Sequence, residues 1–317
     1  MNSEVTIAKS IEIIVPCFNE RDCIEPLHAE LDKYLSTINN ITWSVLFVDD
    51  GSSDGTLDMI KLLADRCDSD RIRYLSFSRN FGKESAIYAG LENSKSDYVV
   101  LMDADLQHPP ALVPKMYEEI QKGYDCCGAR RVSRNGEPPI RSFFSKAFYN
   151  LINRVTSINL VPGGSDYRIM TRQMVDAIVS MTERERFIKG IMSWVGFSTK
   201  WIEYRNVERI AGESKWSFMG LVKYAWHGFI SFATTPLRSV IFLGGLVIAM
   251  AIIYALIVVT QIYSGHRMWR DTTTIILLLL FFFGVVLMVL GFIGEYIARI
   301  YMELKHRPIY IEKESRL

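Results

Sequence analysis

The two glycine-rich fingerprints that most directly mark a nucleotide fold are missing. Neither GxGxxG nor GxxxxGK[ST] occurs in the 317 residues, which weakens dinucleotide-oxidoreductase and P-loop readings. Net charge is also missing: 36 lysines and arginines stand against 35 aspartates and glutamates, so nothing global argues for a nucleic-acid partner. Cysteine is sparse. Cys17, Cys23, Cys67, Cys126 and Cys127 show no repeated CxxC spacing, and an odd number of thiols reads as ordinary reduced cysteine with no metal or disulfide role. There is no internal repeat or low-complexity tract. No secretory signal is expected, because "IEIIVPC" is too short for an h-region and lacks a basic start.

The most informative gap is the loss of charge near the C-terminus. From Val240 to Tyr263, and again from Thr272 to Gly294, no charged residue occurs. Each run is long enough to cross a hydrocarbon layer, which takes about 20 helical residues. Together they predict a two-helix transmembrane hairpin over 237–296, and the short link "SGHRMWRD" puts both outer ends on one side. Those flanks carry Lys223, Arg238, Arg299, Lys305 and Arg307, against Arg267 and Arg270 in the link. By the positive-inside rule the flanks face the cytoplasm, as does everything before the hairpin. Before it, residues 211–236 are rich in Trp216, Phe218, Tyr224, Trp226, Phe229 and Phe232. That composition predicts an amphipathic segment lying in the bilayer interface, with simple packing on the preceding domain as the alternative. Residues 297–317 read as a cytosolic juxtamembrane tail. Glycines 244, 245, 284 and 291 on the apolar helices offer faces through which a homo-oligomer could form.

Residues 1–210 are organised differently. The β-rich runs "IEIIVPC", "WSVLFVDD", "RIRYLSF", "YVVLMD" and "YDCCGA" alternate with helical stretches. Such alternation predicts an α/β domain with a mostly parallel sheet and flanking helices. Ligands of such sheets sit beyond the carboxyl ends of the strands. Polar clusters fall at four of those ends: "CFNE", "DDGSSDG", "SRNFGKE" and "DADLQ". A sheet without chemistry would show this at one or two.

In "YVVLMDADLQHPP" an apolar run stops on Asp103 and Asp105. In an extended chain these side chains point the same way, and two carboxylates that close repel unless a cation lies between them. With Gln107 nearby they form a hard oxygen set suited to Mg2+ or Mn2+, ions whose usual partner is a phosphate. Past Pro138 and Pro139 the sequence predicts a helix that carries Arg141 and Ser145 one turn apart, a seat for a phosphate.

"VPCFNE", "VDDGSSDGT", "SRNFGKE", "MDADLQHP", "GAR", "DYRIM" and "AGESKWSF", in this order, resemble the inverting family-two glycosyltransferases. The resemblance is in particular to membrane enzymes that load one sugar onto a polyprenyl phosphate, and it runs the length of the chain. It implies a GT-A-like domain and a UDP-sugar donor, with glucose or N-acetylglucosamine favoured. It places Pro16, Glu20 and Asp50 on the nucleoside, although "DDGSSD" is equally a good turn and helix cap. Asp103, Asp105 and Gln107 fall on the metal and diphosphate, and Arg130, Arg141 and Ser145 on the acceptor phosphate. Asp166 is the third acidic position, for orienting sugar or acceptor, with base catalysis second. Arg209 and Lys215 would close over the diphosphate as a lid or serve membrane-surface electrostatics. Asp105, Asp166 and Arg130 form the expected catalytic set. The setting implied is the inner membrane, multi-pass, with undecaprenyl phosphate as acceptor and a flippase and a second glycosyltransferase downstream. The rivals are a processive polysaccharide synthase, for which no QxxRW motif is found, and a non-catalytic glycolipid transporter or scaffold.

Overall fold

The computed structural model describes residues 9–67, 71–131, 158–184, 186–204 and 271–317, with further single positions within 149–156 and 244–264. They divide into two compact units, one comprising Met1–Ser231 with Pro308–Leu317 and the other Phe232–Arg307.

The first unit is built on an eight-stranded sheet of order β7-β5-β6-β4-β1-β2-β3-β8. β1 (Lys9–Cys17), β2 (Ile41–Asp49), β3 (Ile72–Phe77) and β4 (Tyr98–Leu101) are parallel. β6 (Gly164–Thr171) is antiparallel to both β4 and β5 (Cys126–Arg131), and β7 (Thr199–Tyr204) is parallel to β5. β8 (Glu312–Arg316) closes the far edge antiparallel to β3. The helices of this unit are α1 (Ile24–Leu35), α2 (Thr56–Arg66), α3 (Lys83–Asn93), α4 (Val113–Gln121), α5 (Arg172–Ser180) and α6 (Ile188–Trp194).

Local sequence explains these elements. Ile11, Ile13, Ile14 and Val15 of β1 are all fully buried, as expected of a strand covered on both faces. α1 buries Ile24, Leu27, Leu31 and Leu35, the three-and-four spacing of one helical stripe. The one charge inside the central strand, Glu12, is fully buried and receives the Arg73 guanidinium at 2.6 Å. Such a pairing offsets part of the cost of taking both groups out of water.

The five expected strands and four intervening helices all occupy their places. β6, β7 and β8 were not anticipated, because "GSDYRIMT", "TKWIEY" and "EKESR" are too polar to read as strands without their neighbours. Strand order reverses between β1 and β4, and the chain leaves both strands there at their carboxyl ends. This is the switch-point crevice of an open α/β sheet.

In the second unit, α7 (Asp271–Leu304) is 34 residues long, about 51 Å at 1.5 Å per residue. Within Phe281–Leu304 an 18-residue stretch has mean hydropathy 2.1, and none of it is buried. Among the described residues it is the one helix long and apolar enough to cross a membrane. Most of the first apolar run, all of 211–236 and the helix expected after Pro138 lie outside the described residues. Residues 297–304, expected to begin the juxtamembrane tail, continue α7 as helix. "EYIARIYMEL" holds no glycine or proline, and Arg299 meets Glu295 one turn back at 3.4 Å. The helix ends before His306, which has φ of 45°, and Pro308.

Candidate active site

The loops after β1 and β2 are tied into one platform. Asn19, in the left-handed region at φ 53°, donates its amide to Ser52 Oγ and accepts the Ser53 amide on its side chain. The Glu20 amide donates to Thr56 Oγ1, and the Cys23 thiol lies 3.6 Å from the Glu20 carboxylate. Pro16 stands in the last turn of register of β1, opposite Val48. Asp49 holds the turn, accepting the Ser52 amide and the Ser76 hydroxyl. Gly51 is obligatory: its φ is +69°, and a side chain there would meet the Arg79 backbone.

Asp50 is 3 % exposed, and its two oxygens accept the amides of Phe81 (2.6 Å) and Gly82 (2.9 Å). It does not cap α2. It fixes the turn into α3, whose first residue is Lys83. Burial pushes its carboxyl up to about 6, against the pull of those two amides. Nothing in the motif "VDDGSSDG" reveals this long-range task.

Lys83 reaches the carboxylate corner. Its Nζ lies 2.7 Å from Asp103 Oδ1, 2.9 Å from Asp103 Oδ2 and 3.2 Å from Asp166 Oδ2. Lys189 of α6 approaches Asp166 Oδ1 at 3.9 Å. Burial opposes ionisation of Asp166, but Lys189, Lys83 and Arg168 outweigh it and hold the carboxyl well below its usual range. Asp103 is likewise held below its usual range, because Lys83 overcomes its burial. Asp103 and Asp166, 63 residues apart in sequence, are thus brought to one ammonium group.

The strand-alternation argument for Asp103 and Asp105 does not apply, because β4 ends at Leu101 and both residues sit in the turn that follows. The turn passes through Leu106 at φ 57°, and Asp105 Oδ1 accepts the Gln107 amide at 3.1 Å. His108 anchors it from behind. It is buried, stacked on Tyr167 at 5.0 Å, with the Asp103 amide directed at its Nδ1 (3.5 Å), and Tyr167 donates to the Pro109 carbonyl at 2.8 Å.

The expected metal triad is therefore divided. Asp103 is engaged by Lys83, whereas Asp105 accepts the backbone amide of Gln107. Among the described residues no cluster of three or more His, Cys, Asp or Glu side chains forms a metal cage. The Asp105 carboxylate and the Gln107 side-chain amide are hard oxygen donors by chemistry, of the kind Mg2+ or Mn2+ takes together with substrate phosphate and water.

Of the expected acceptor residues, Arg130 is the penultimate residue of β5 and donates Nε to the Pro162 carbonyl at 3.2 Å. Arg141, Ser145, Arg209 and Lys215 lie outside the described residues. Lys83, Lys189, His108 and Tyr167 were missed. Lys83 had a signal in "SRNFGKE", where the motif was noticed without its lysine. Lys189 had none, because only the return of α6 onto β6 brings it near Asp166.

The family model for glycosyl transferase family 2 matches residues 12–179, more than half of the chain. That span holds Asp50, Asp103, Asp105 and Asp166. The chain belongs to glycosyl transferase family 2. This glycosyltransferase is 41 % identical to CsbB of Bacillus subtilis (strain 168), itself named as a glycosyltransferase, over 97 % of this chain and 92 % of that one. It is 36 % identical to the bactoprenol glucosyl transferase of Shigella phage SfV, over 96 % and 99 % of the two chains. Among solved structures it is similar to mannosyl-3-phosphoglycerate synthase from Rubrobacter xylanophilus. That likeness has a TM-score of 0.48 and 16 % identity over 69 % of this chain and 71 % of that one. Membership in a transferase family sets aside the non-catalytic transporter or scaffold.

Proposed function

We propose that this glycosyltransferase moves one sugar, glucose or N-acetylglucosamine, from a UDP-sugar to a polyprenyl phosphate such as undecaprenyl phosphate, with inversion. The observation that carries the reading is the corner at the sheet's switch point. There Lys83 gathers Asp103 and Asp166, and the turn that follows carries Asp105, whose carboxylate accepts the Gln107 backbone amide. Likeness over nearly the whole length to an enzyme named for bactoprenol supports the lipid acceptor.

Pro16, Glu20 and Asp50 line the nucleoside end, where the two loops and the turn held by Asp50 form a rigid cradle. Asp105 and Gln107 would hold Mg2+ or Mn2+, which when bound supplies Lewis-acid neutralisation of a departing diphosphate. Lys83 keeps Asp103 oriented and ionised. The acceptor phosphate, held by Arg130, Arg141 and Ser145, attacks the anomeric carbon with an oxygen already ionised near neutral pH. It therefore needs no general base. Asp166, ion-paired and held far below its usual range, is a feeble base and serves to orient sugar and acceptor. Arg209 and Lys215 close over the diphosphate. Fixing the two reactants in one geometry supplies much of the barrier reduction.

The domains follow the sequence reading: a cytoplasmic catalytic domain, an interfacial segment at 211–236, and a hairpin whose second member is α7, in the inner membrane and multi-pass. The lipid-linked product suits a flippase and a second glycosyltransferase. Incubating purified protein with radiolabelled UDP-sugars and undecaprenyl phosphate should give a single labelled monosaccharide lipid. Polymeric product would favour a processive synthase instead, and no lipid product from any donor would defeat the proposal.

A further inference from the structure

Helix α6 starts without a cap of its own. Phe187 stands at the cap position, and its side chain makes no capping hydrogen bond. A Ser, Thr or Asp there would have taken one of the amides that every helix leaves unpaired at its start. Ile188, the first helical residue, is fully buried, so bulk water is not at hand to do so. The partner comes from another helix. Oε2 of Glu84, on α3, accepts the Ile188 amide at 2.9 Å across 104 residues of sequence.

The neighbours of this contact on both helices lead to one carboxylate. Lys83, the residue before Glu84, binds Asp103 and Oδ2 of Asp166. Lys189, the residue after Ile188, lies 3.3 Å from the Gly164 carbonyl and 3.9 Å from Oδ1 of Asp166. Two consecutive residues of α3 thus meet two consecutive residues of α6 around Asp166. Burial works against its charge, and Lys189 and Lys83 are foremost among the cations that hold it ionised. A second fastening lies one turn further along α3. The Arg186 guanidinium covers the Tyr88 ring at 4.4 Å and donates to the carbonyls of Ile178 and Met181. Tyr88 in turn donates to Glu92 at 3.0 Å. Glu84, Tyr88 and Glu92 fall four residues apart, so they form one stripe of α3, and its first two members hold the link "MTERERF" between α5 and α6. What sets Glu84 apart is that its contact is one peptide from Lys189.

We propose that Glu84 is a positioning residue for transfer: by pinning the first amide of α6 it sets the Lys189 ammonium against Asp166, on the oxygen that Lys83 leaves open. The inference rests on the reading of Asp166 as the group that orients sugar and acceptor, and adds what orients Asp166. Glu84 acts through its acceptor oxygen and not through its charge, because its partner is a backbone amide. Without that bond the start of α6 slackens, and Asp166 is steadied from one side alone.

The test uses full-length protein in detergent with Mg2+, a UDP-sugar and undecaprenyl phosphate. Wild type is compared with Glu84→Met, Glu84→Gln, Lys189→Met and the double variant Glu84→Met with Lys189→Met, and UDP affinity is measured on each by calorimetry. In Glu84→Met kcat should fall about tenfold to a hundredfold, the scale of loss when a remote substitution misplaces a reacting group. UDP affinity should hold within about twofold, because the nucleoside cradle is untouched. Glu84→Gln keeps an acceptor for the Ile188 amide and should return kcat to within about threefold of wild type. Lys189→Met should fall about as far as Glu84→Met, and the double variant no further than either, as expected when two residues act by one route. A merely structural role for Glu84 would weaken UDP binding along with turnover, and the two losses would multiply in the double variant. That result overturns the inference, as would full turnover by Glu84→Met or a Gln variant as slow as the Met one. If wild type makes no lipid product while binding UDP, the reading of Asp166 and its acceptor fails first and takes this inference with it.

Discussion

Lys83 holds one positive charge between two carboxylates, and its removal should be felt in both chemistry and stability. Lys83→Met leaves Asp103 and Asp166 facing each other without their shared cation. Both sites are partly exposed, so the stability cost is a discounted about 1–3 kcal/mol, readable as a lower melting temperature at pH 7. In the native protein Asp103 and Asp166 are depressed. Their contribution is therefore present above the ordinary carboxylate range and lost only in strong acid. In the variant the carboxyls rise, so its melting temperature should gain on that of wild type from pH 7 toward pH 5, a window in which the depressed wild-type pair contributes no change. Lys83→Arg should recover much of the lost stability. Turnover by Lys83→Met should fall about a hundredfold, and equal turnover would remove Lys83 from the site.

Asp50 yields a second expectation. With its carboxyl near 6 and both oxygens on the amides before Lys83, protonation removes an acceptor and loosens that turn. The kcat/KM for the donor should fall as pH drops through about 6. Asp50→Asn should be slower at every pH and lack that limb, because its NH2 group faces an amide donor. A raised carboxyl pKa also means that the folded state gains stability from Asp50 as pH falls from about 6 toward 4. Loss of activity there with an unchanged or higher melting temperature would separate the two effects. Asp105→Asn should abolish transfer with the fold intact, and a chelator should do so reversibly. Full activity in either case would remove the metal.

Among the elements, β1, β2 and β4 were legible because buried parallel strands are rich in Ile, Val and Leu, while β3 and β5 showed as short β-rich runs between helical stretches. The later strands were not. β6 earns its place through antiparallel pairing with β4 and β5, and it delivers Asp166 and Arg168 on one face. Of the site, every acidic position was visible as a motif, while the lysines that organise them were not. A cation's task depends on which helix end returns to which strand. β8 shows the same limit: "EKESR" reads as solvated tail, yet it pairs with β3, places Lys61 2.7 Å from Glu314, and follows Tyr310, which stacks on Phe77 at 4.9 Å. Tyr310 also donates to Glu92 at 2.8 Å. Tyr310→Ala should lower stability by about 1–3 kcal/mol, measured by denaturant unfolding of the full chain. No change would show that the edge strand is ornamental.

The molecule as a whole joins a nearly neutral soluble-type sheet to a helix that exposes Phe283, Leu287, Met288 and Leu290. Exposed apolar side chains in such numbers are tolerated in hydrocarbon and not in water. The protein should stay with membranes through high salt and alkaline washing and be released only by detergent. Release by salt would mean surface attachment, since exposed charge pairs are screened over about 10 Å at 0.1 M.

Leu106 bends backwards, with a backbone angle glycine accepts freely and a branched hydrocarbon side chain resists, and it is buried at 6 % exposure. That side chain works as a peg, its burial obliging the hairpin of Asp105 and Gln107 to keep a shape the main chain alone would relax from. Leu106→Gly would ease the bend and withdraw the peg together. The enzyme would then need more divalent ion for half-maximal rate and melt at a lower temperature, since the lost burial outweighs the eased bend, and a motif position with no reactive atom would prove to set the grip of its neighbours.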